Sequence, residues 1–115
     1  MAQAAEPYQA TAAVGDSSTC PGAQCHFTFP PVPAGKRLQL TSVSAQLGSV
    51  ADSLVLEGNG LSYFVTKSHP DLSYLTTLVS LFYEAGSTPT ARVFAPDTTK
   101  HTSLIITLVG ILEKP

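Results

Sequence analysis

The 115-residue chain has room for one domain with a core of its own, without structural metals or a dense disulfide framework. Charged residues make up only 12% of it, the formal net charge is -2 and the six basic residues are scattered, so the electrostatic footprint of a nucleic-acid binder is absent. No apolar run approaches the roughly 20 residues that a membrane-spanning helix needs, which excludes insertion of that kind.

Residues 1–19 are rich in Ala, Thr and Ser and contain one extended piece, Tyr8 to Val14. This N-terminal stretch is an arm or an edge strand, and as an arm it would add to a neighbour's sheet. Ala2-Gln3-Ala4 has the small-x-small pattern found before a signal-peptidase cut. Two readings stay open: an exported chain whose Met1 replaces a signal peptide, or an Ala-rich native start. The main domain runs from residue 20 to 115.

Cys20 and Cys25, the two cysteines of the chain, flank Pro-Gly-Ala-Gln, a turn composition that brings its ends together. A local disulfide is the expected pairing, with free thiols the alternative, and the disulfide fits an oxidising compartment: secreted, cell-surface or periplasmic. Metal binding would need more ligands, because no second Cys pair or His spacing completes a tetrahedral site around His26.

The rest of the chain reads as short strands between Gly, Pro, Asn, Asp and Ser clusters. His26 to Phe29 forms a brief strand, stopped by Pro30, Pro31 and Pro33, which remove ladder donors. Lys36 to Leu47 follows, with Leu38 and Leu40 in one phase and Val43, Ala45 and Leu47 in the other. A β-bulge near Thr41-Ser42, or a strand crossing between sheets, produces such a switch. Asn59-Gly60 between Ser53–Leu56 and Leu61–Thr66 is the clearest hairpin signal. Ser68-His69-Pro70-Asp71 is a turn, and Ala91 to Ala95 is a short strand.

Two longer strands are apolar on both faces. Tyr74 to Tyr83 carries Leu75, Val79, Leu81 and Tyr83 against Leu78 and Phe82. Leu104 to Leu112 carries Leu104, Ile106, Leu108 and Leu112 against Ile105, Val109 and Ile111. A solvated antiparallel strand alternates apolar with polar, so strands of this kind ask for cover on both sides. Seven or eight strands with turns every 8 to 12 residues predict an all-β antiparallel sandwich, jelly-roll-like.

The stretch Phe29-Pro30-Pro31-Val32-Pro33-Ala34-Gly35-Lys36-Arg37-Leu38 with Val43-Ser44, the Phe82-Tyr83-Glu84-Ala85-Gly86 turn and the apolar closing strand resemble small exported bacterial proteins of uncharacterised function. In those, a Val-Pro-Ala-Gly-Lys-Arg-Leu turn begins a β-sandwich. The resemblance covers about the last three quarters of the chain. It implies export and a sandwich fold and carries no active site to transfer.

No catalytic signature accompanies the fold. The Gly-x-Ser-x-Gly elbow of a hydrolase is missing, His26, His69 and His101 stand far apart, and the Gly35-Lys36 pair has Pro30 where a phosphate loop needs glycine. Glu6, Asp16, Asp52, Glu57, Asp71, Glu84, Asp97 and Glu113 fall mostly in turns and strand ends, the ordinary solvated distribution. The expectation is a non-catalytic exported protein without metal or other cofactor that self-associates through sandwich faces or its arm, as a closed homo-oligomer or a filament. Tyr8, Val14, Leu78, Phe82, Ile105, Val109 and Ile111 are its candidate interface residues. The alternative is a lectin-like, glycan-binding module in which Tyr63, Tyr74 and Tyr83 stack on a sugar.

Overall fold

The computed structural model describes residues 6–16, 19–47, 52–65, 73–96, 101 and 103–114. Eight strands form: β1 (Glu6–Val14), β2 (Gln24–Thr28), β3 (Arg37–Gln46), β4 (Ser53–Gly58), β5 (Leu61–Val65), β6 (Tyr74–Tyr83), β7 (Thr90–Phe94) and β8 (Leu104–Glu113). They lie in two antiparallel four-stranded sheets, ordered β1-β8-β3-β6 (sheet A) and β2-β7-β4-β5 (sheet B). First pairs with last, second with seventh, third with sixth and fourth with fifth. This is a nested hairpin rolled into two layers, the jelly-roll topology.

The inward faces meet in one core. Sheet A contributes Leu38, Leu40, Val43, Leu104, Ile106 and Leu108, and sheet B contributes Phe27, Leu54, Leu56 and Val93, all nearly inaccessible to solvent. Phe29 and Val32, in the proline-rich connection, close one end of it. There the backbone N–H of Phe29 donates to Pro89 O at 3.0 Å and that of Val32 to Ser87 O at 2.9 Å, so the connection is satisfied without joining a sheet.

The phase switch in β3 is a bulge. Its register shifts between Leu40 and Ser42 against both β6 and β8, which keeps Leu38 and Leu40 inward on one side and Val43 and Ala45 inward on the other. Thr41, at the shift, donates its hydroxyl proton to Val109 O at 3.2 Å. The β4–β5 hairpin turns on Asn59 and Gly60, with φ values of 52° and 75°, the pair of left-handed residues that a type I′ turn needs.

Cys20 and Cys25 are joined, with Cα atoms 5.1 Å apart across a short 3-10 turn at Pro21–Ala23. This ties the entry of β2 to the segment that follows β1. The extended piece of the N-terminal stretch takes the edge-strand alternative. Throughout its length β1 pairs with β8 of its own chain, from Glu6 opposite Leu112 to Val14 opposite Leu104. That pairing occupies the inner edge of β1 and sets the strand at the outer edge of sheet A. The Ser68–Asp71 turn lies outside the described residues.

Candidate functional site

Alternation on sheet A sorts the residues named from sequence. Five of the seven interface candidates, Leu78, Phe82, Ile105, Val109 and Ile111, point outward on this one sheet. Tyr8 and Val14 do not. Tyr8 is 7% exposed and donates its hydroxyl proton to Pro30 O at 3.1 Å, while Val14 packs on the core from the inward phase of β1. Both are corrected from interface to core residues. The physical reason is the period of two: Tyr8, Ala10, Ala12 and Val14 share one face, and pairing with β8 turns that face inward.

The outer face of sheet A is built in rows across four strands. One row runs Pro7, Ile111, Gln39, Phe82; another runs Ala13, Ile105, Gln46, Tyr74. Between them Thr11, Thr107, Ser44 and Thr76 form a row of hydroxyls, Thr11 and Thr107 at 3.0 Å and Thr76 donating to Ser44 at 3.4 Å. β6 and β8 are therefore apolar ridges, and β3 between them is a polar valley of Gln and Ser. Near Tyr74 and Ile105 the valley deepens into a hollow of about 210 Å³ lined by Ser44, Gln46, Thr76 and Thr107.

Exposure on the ridges is high: Leu78 is 84%, Tyr74 62%, Phe82 42% and Ile105 37% accessible. The charges of this sheet gather at one end and neutralise one another. Lys36 bonds to Glu6, and Arg37 lies 3.4 Å from Glu113 with its guanidinium carbon 4.9 Å from the centre of the Phe82 ring. The rows from Pro7 to Ala13 present no Asp, Glu, Lys, Arg or His.

The tyrosines proposed for sugar stacking do not converge. Tyr83 is fully buried, its hydroxyl aimed at Glu57 O at 3.4 Å, and burial raises its pKa to about 12, with Tyr8 adding to the rise. It is corrected to a core residue, because it shares the inward phase of Leu75, Val79 and Leu81. Tyr74 stands on the outer face of sheet A. Tyr63, 40% exposed, lies on edge strand β5 opposite the buried Leu56, in the other sheet.

Sheet B holds a cluster that the sequence reading missed. On its outer face Arg92 donates from Nη1 to Gln24 Oε1 at 3.2 Å and from Nη2 to Glu57 Oε2 at 3.1 Å. Phe64, 75% exposed, and Phe94, 45% exposed, stand beside it around a groove of about 190 Å³ whose lining includes Val55 and Ser53. Only the strand order brings these residues together, since β7 lies between β2 and β4.

Among the described residues no group of three or more His, Cys, Asp or Glu side chains gathers as a metal would need. Carboxylates pair instead with cations, Glu6 with Lys36, Glu57 with Arg92 and Glu113 with Arg37, while Asp16 Oδ2 lies 3.2 Å from His101 Nδ1. Nor is any helix among these residues long and apolar enough to cross a membrane.

No family model and no curated protein sequence matches the chain. Among solved structures, it is similar to an exo-β-1,3-galactanase from Phanerochaete chrysosporium crystallised with galactose, at 12% identity and a TM-score of 0.46. The match covers 95% of this chain and spans 30% of the galactanase chain.

Proposed function

We propose that this chain is a non-catalytic, exported interaction protein that pairs with a second copy of itself through the outer face of sheet A. The observation that carries the reading is the face on which Leu78, Phe82, Tyr74 and Ile105 are exposed together, with its charges confined to the ion-paired end beside Phe82. Large apolar side chains left exposed together in this way mark interaction sites in soluble proteins. A second copy suits it better than an unrelated partner, because the face is complementary to itself. A two-fold axis in the contact plane, parallel to the strands, reverses the strand order and sets the β8 ridge of one copy over the β3 valley of the other.

The size is adequate. Four strands about 4.8 Å apart and ten residues long at about 3.3 Å per residue give on the order of 600 Å² per copy. The total of about 1,200 Å² reaches the lower bound of specific, stable interfaces. The Cys20–Cys25 bond supports an oxidising compartment, in line with export.

Changing Leu78 to Asp tests the reading. The side chain makes little contact within its own chain, so the monomer tolerates the change, whereas a carboxylate on the ridge would be buried without a partner in the pair. Sedimentation velocity is expected to show a pair for the native chain and a monomer for L78D. An identical sedimentation coefficient for both would refute it.

A further inference from the structure

We infer that the outer face of sheet B is a binding site for one neutral pyranose unit of a glycan, held between Phe64 and Phe94 over Val55 and oriented by Gln24 and by Arg92, which Glu57 holds from beside the groove. This site lies on the sheet opposite the proposed pairing face and stands whether or not two copies pair.

Geometry supplies the first argument. Residues His26, Arg92, Val55 and Phe64 form one row across the four strands, and Gln24, Phe94 and Ser53 form the next. Phe94 and Phe64 are thus two strands and two residues apart, about 12 Å between backbones. Their rings project from the same face on either side of Val55. Val55 is itself on the outer face yet only 7% exposed, so its neighbours already shield a small apolar floor. The groove of about 190 Å³ lies below the 300 Å³ lower range of drug-sized pockets, a volume suited to a single sugar ring.

Chemistry supplies the second. A pyranose has an apolar C–H face and a rim of hydroxyls that both donate and accept. Exposed rings meet the first requirement, and side chains with planar polar groups meet the second. Arg92 is already fixed by two partners, one on each flanking strand, so its remaining N–H groups are aimed before a ligand arrives. Gln24, in the groove lining, keeps acceptor capacity for sugar hydroxyls. Orientation by prebuilt hydrogen bonds on a rigid sheet is what a polar, weakly hydrophobic ligand needs in order to compete with water.

Charge decides the class. Glu57 Oε2 lies 3.1 Å from Arg92 Nη2, so the cation that would attract a uronate or sialate is already matched by a carboxylate beside the groove. A carboxylated sugar drawn to Arg92 would compete with Glu57 as a like charge. A neutral hexose meets neither repulsion nor an unpaired charge.

The test is an amide-NMR titration of the intact chain with methyl glycosides of glucose, galactose, mannose and N-acetylglucosamine, and with glucuronate. A saturable response in β4, β5 and β7 to at least one neutral glycoside, stronger than that to glucuronate, is expected. Phe64→Ala and Phe94→Ala should each weaken it by about tenfold, with amide spectra elsewhere unchanged because both rings are exposed. Glu57→Gln should raise the response to glucuronate relative to the neutral sugar. The absence of a saturable response to every neutral glycoside would overturn the inference. So would binding indifferent to both Phe substitutions, or native binding that favours glucuronate.

Discussion

Gly110 of β8 and Gln39 of β3 are so close that a methyl group at position 110 would overlap the Gln39 carbonyl oxygen and stand 2.9 Å from Leu38 Cδ1. Gly110 lies opposite Leu40 at the edge of the β3 bulge, on the inward face between Leu108 and Leu112. The bulge draws the two backbones together, and the missing side chain is what allows it.

Gly110→Ala is therefore expected to destabilise the fold by about 2 kcal/mol or more, since backbone on β3 must shift to make room. Chemical denaturation checks this. An unchanged midpoint would mean that sheet A deforms easily at the bulge.

The disulfide closes a short loop, with five residues of separation between Cys20 and Cys25. Replacing both by Ser is expected to cost about 2 kcal/mol and to lower the melting temperature by about 10 °C. The strand pairings do not depend on it, so the double variant should keep its β-sheet circular dichroism. Loss of all folded signal would show that the bond is required for β2 to pair with β7.

Alkaline pH reports on the core. Burial raises the pKa of Tyr83 from 10.0 to about 12, and burial raises that of Tyr8 as well. The native state thus holds its protons where the unfolded chain gives them up. Stability from this source is complete below pH 10 and falls as pH rises through about 12. Thermal melts across that window should show the decline, and Tyr83→Phe should make it shallower. A melting temperature independent of pH in that window would contradict the buried, neutral phenol.

Leu78 and Tyr83 stand five positions apart on β6 with opposite fates, 84% exposed and fully buried. Truncation should separate them. Leu78→Ala is expected to change monomer stability by less than about 0.5 kcal/mol, whereas Tyr83→Ala should cost about 3 kcal/mol or more. Equal effects in denaturant titrations of the two variants would mean that Leu78 is covered within its own chain.

Much of this architecture was legible because local signals carry it. The Asn59-Gly60 turn, the Cys20–Cys25 loop, the change of phase in β3 and the doubly apolar patterns of β6 and β8 each depend on residues close in sequence. Tyr83 was misplaced as a stacking ring although its alternation with Leu75, Val79 and Leu81 already put it inside. Tyr8 and Val14 were misplaced for a different reason. Their partner strand is β8, at the far end of the chain, and alternate alanines give only a faint apolar face. The Arg92 cluster joins β2, β4, β5 and β7, and no window of sequence contains it. The row of hydroxyls on sheet A is equally a product of register, with Thr11 and Thr107 brought together from opposite ends.

The most direct test of the pairing of sheet A faces is the mass of the native chain by light scattering across a dilution series. The account predicts twice 12.0 kDa at the concentrated end, approaching 12.0 kDa on dilution. A constant mass of 12.0 kDa throughout would contradict it.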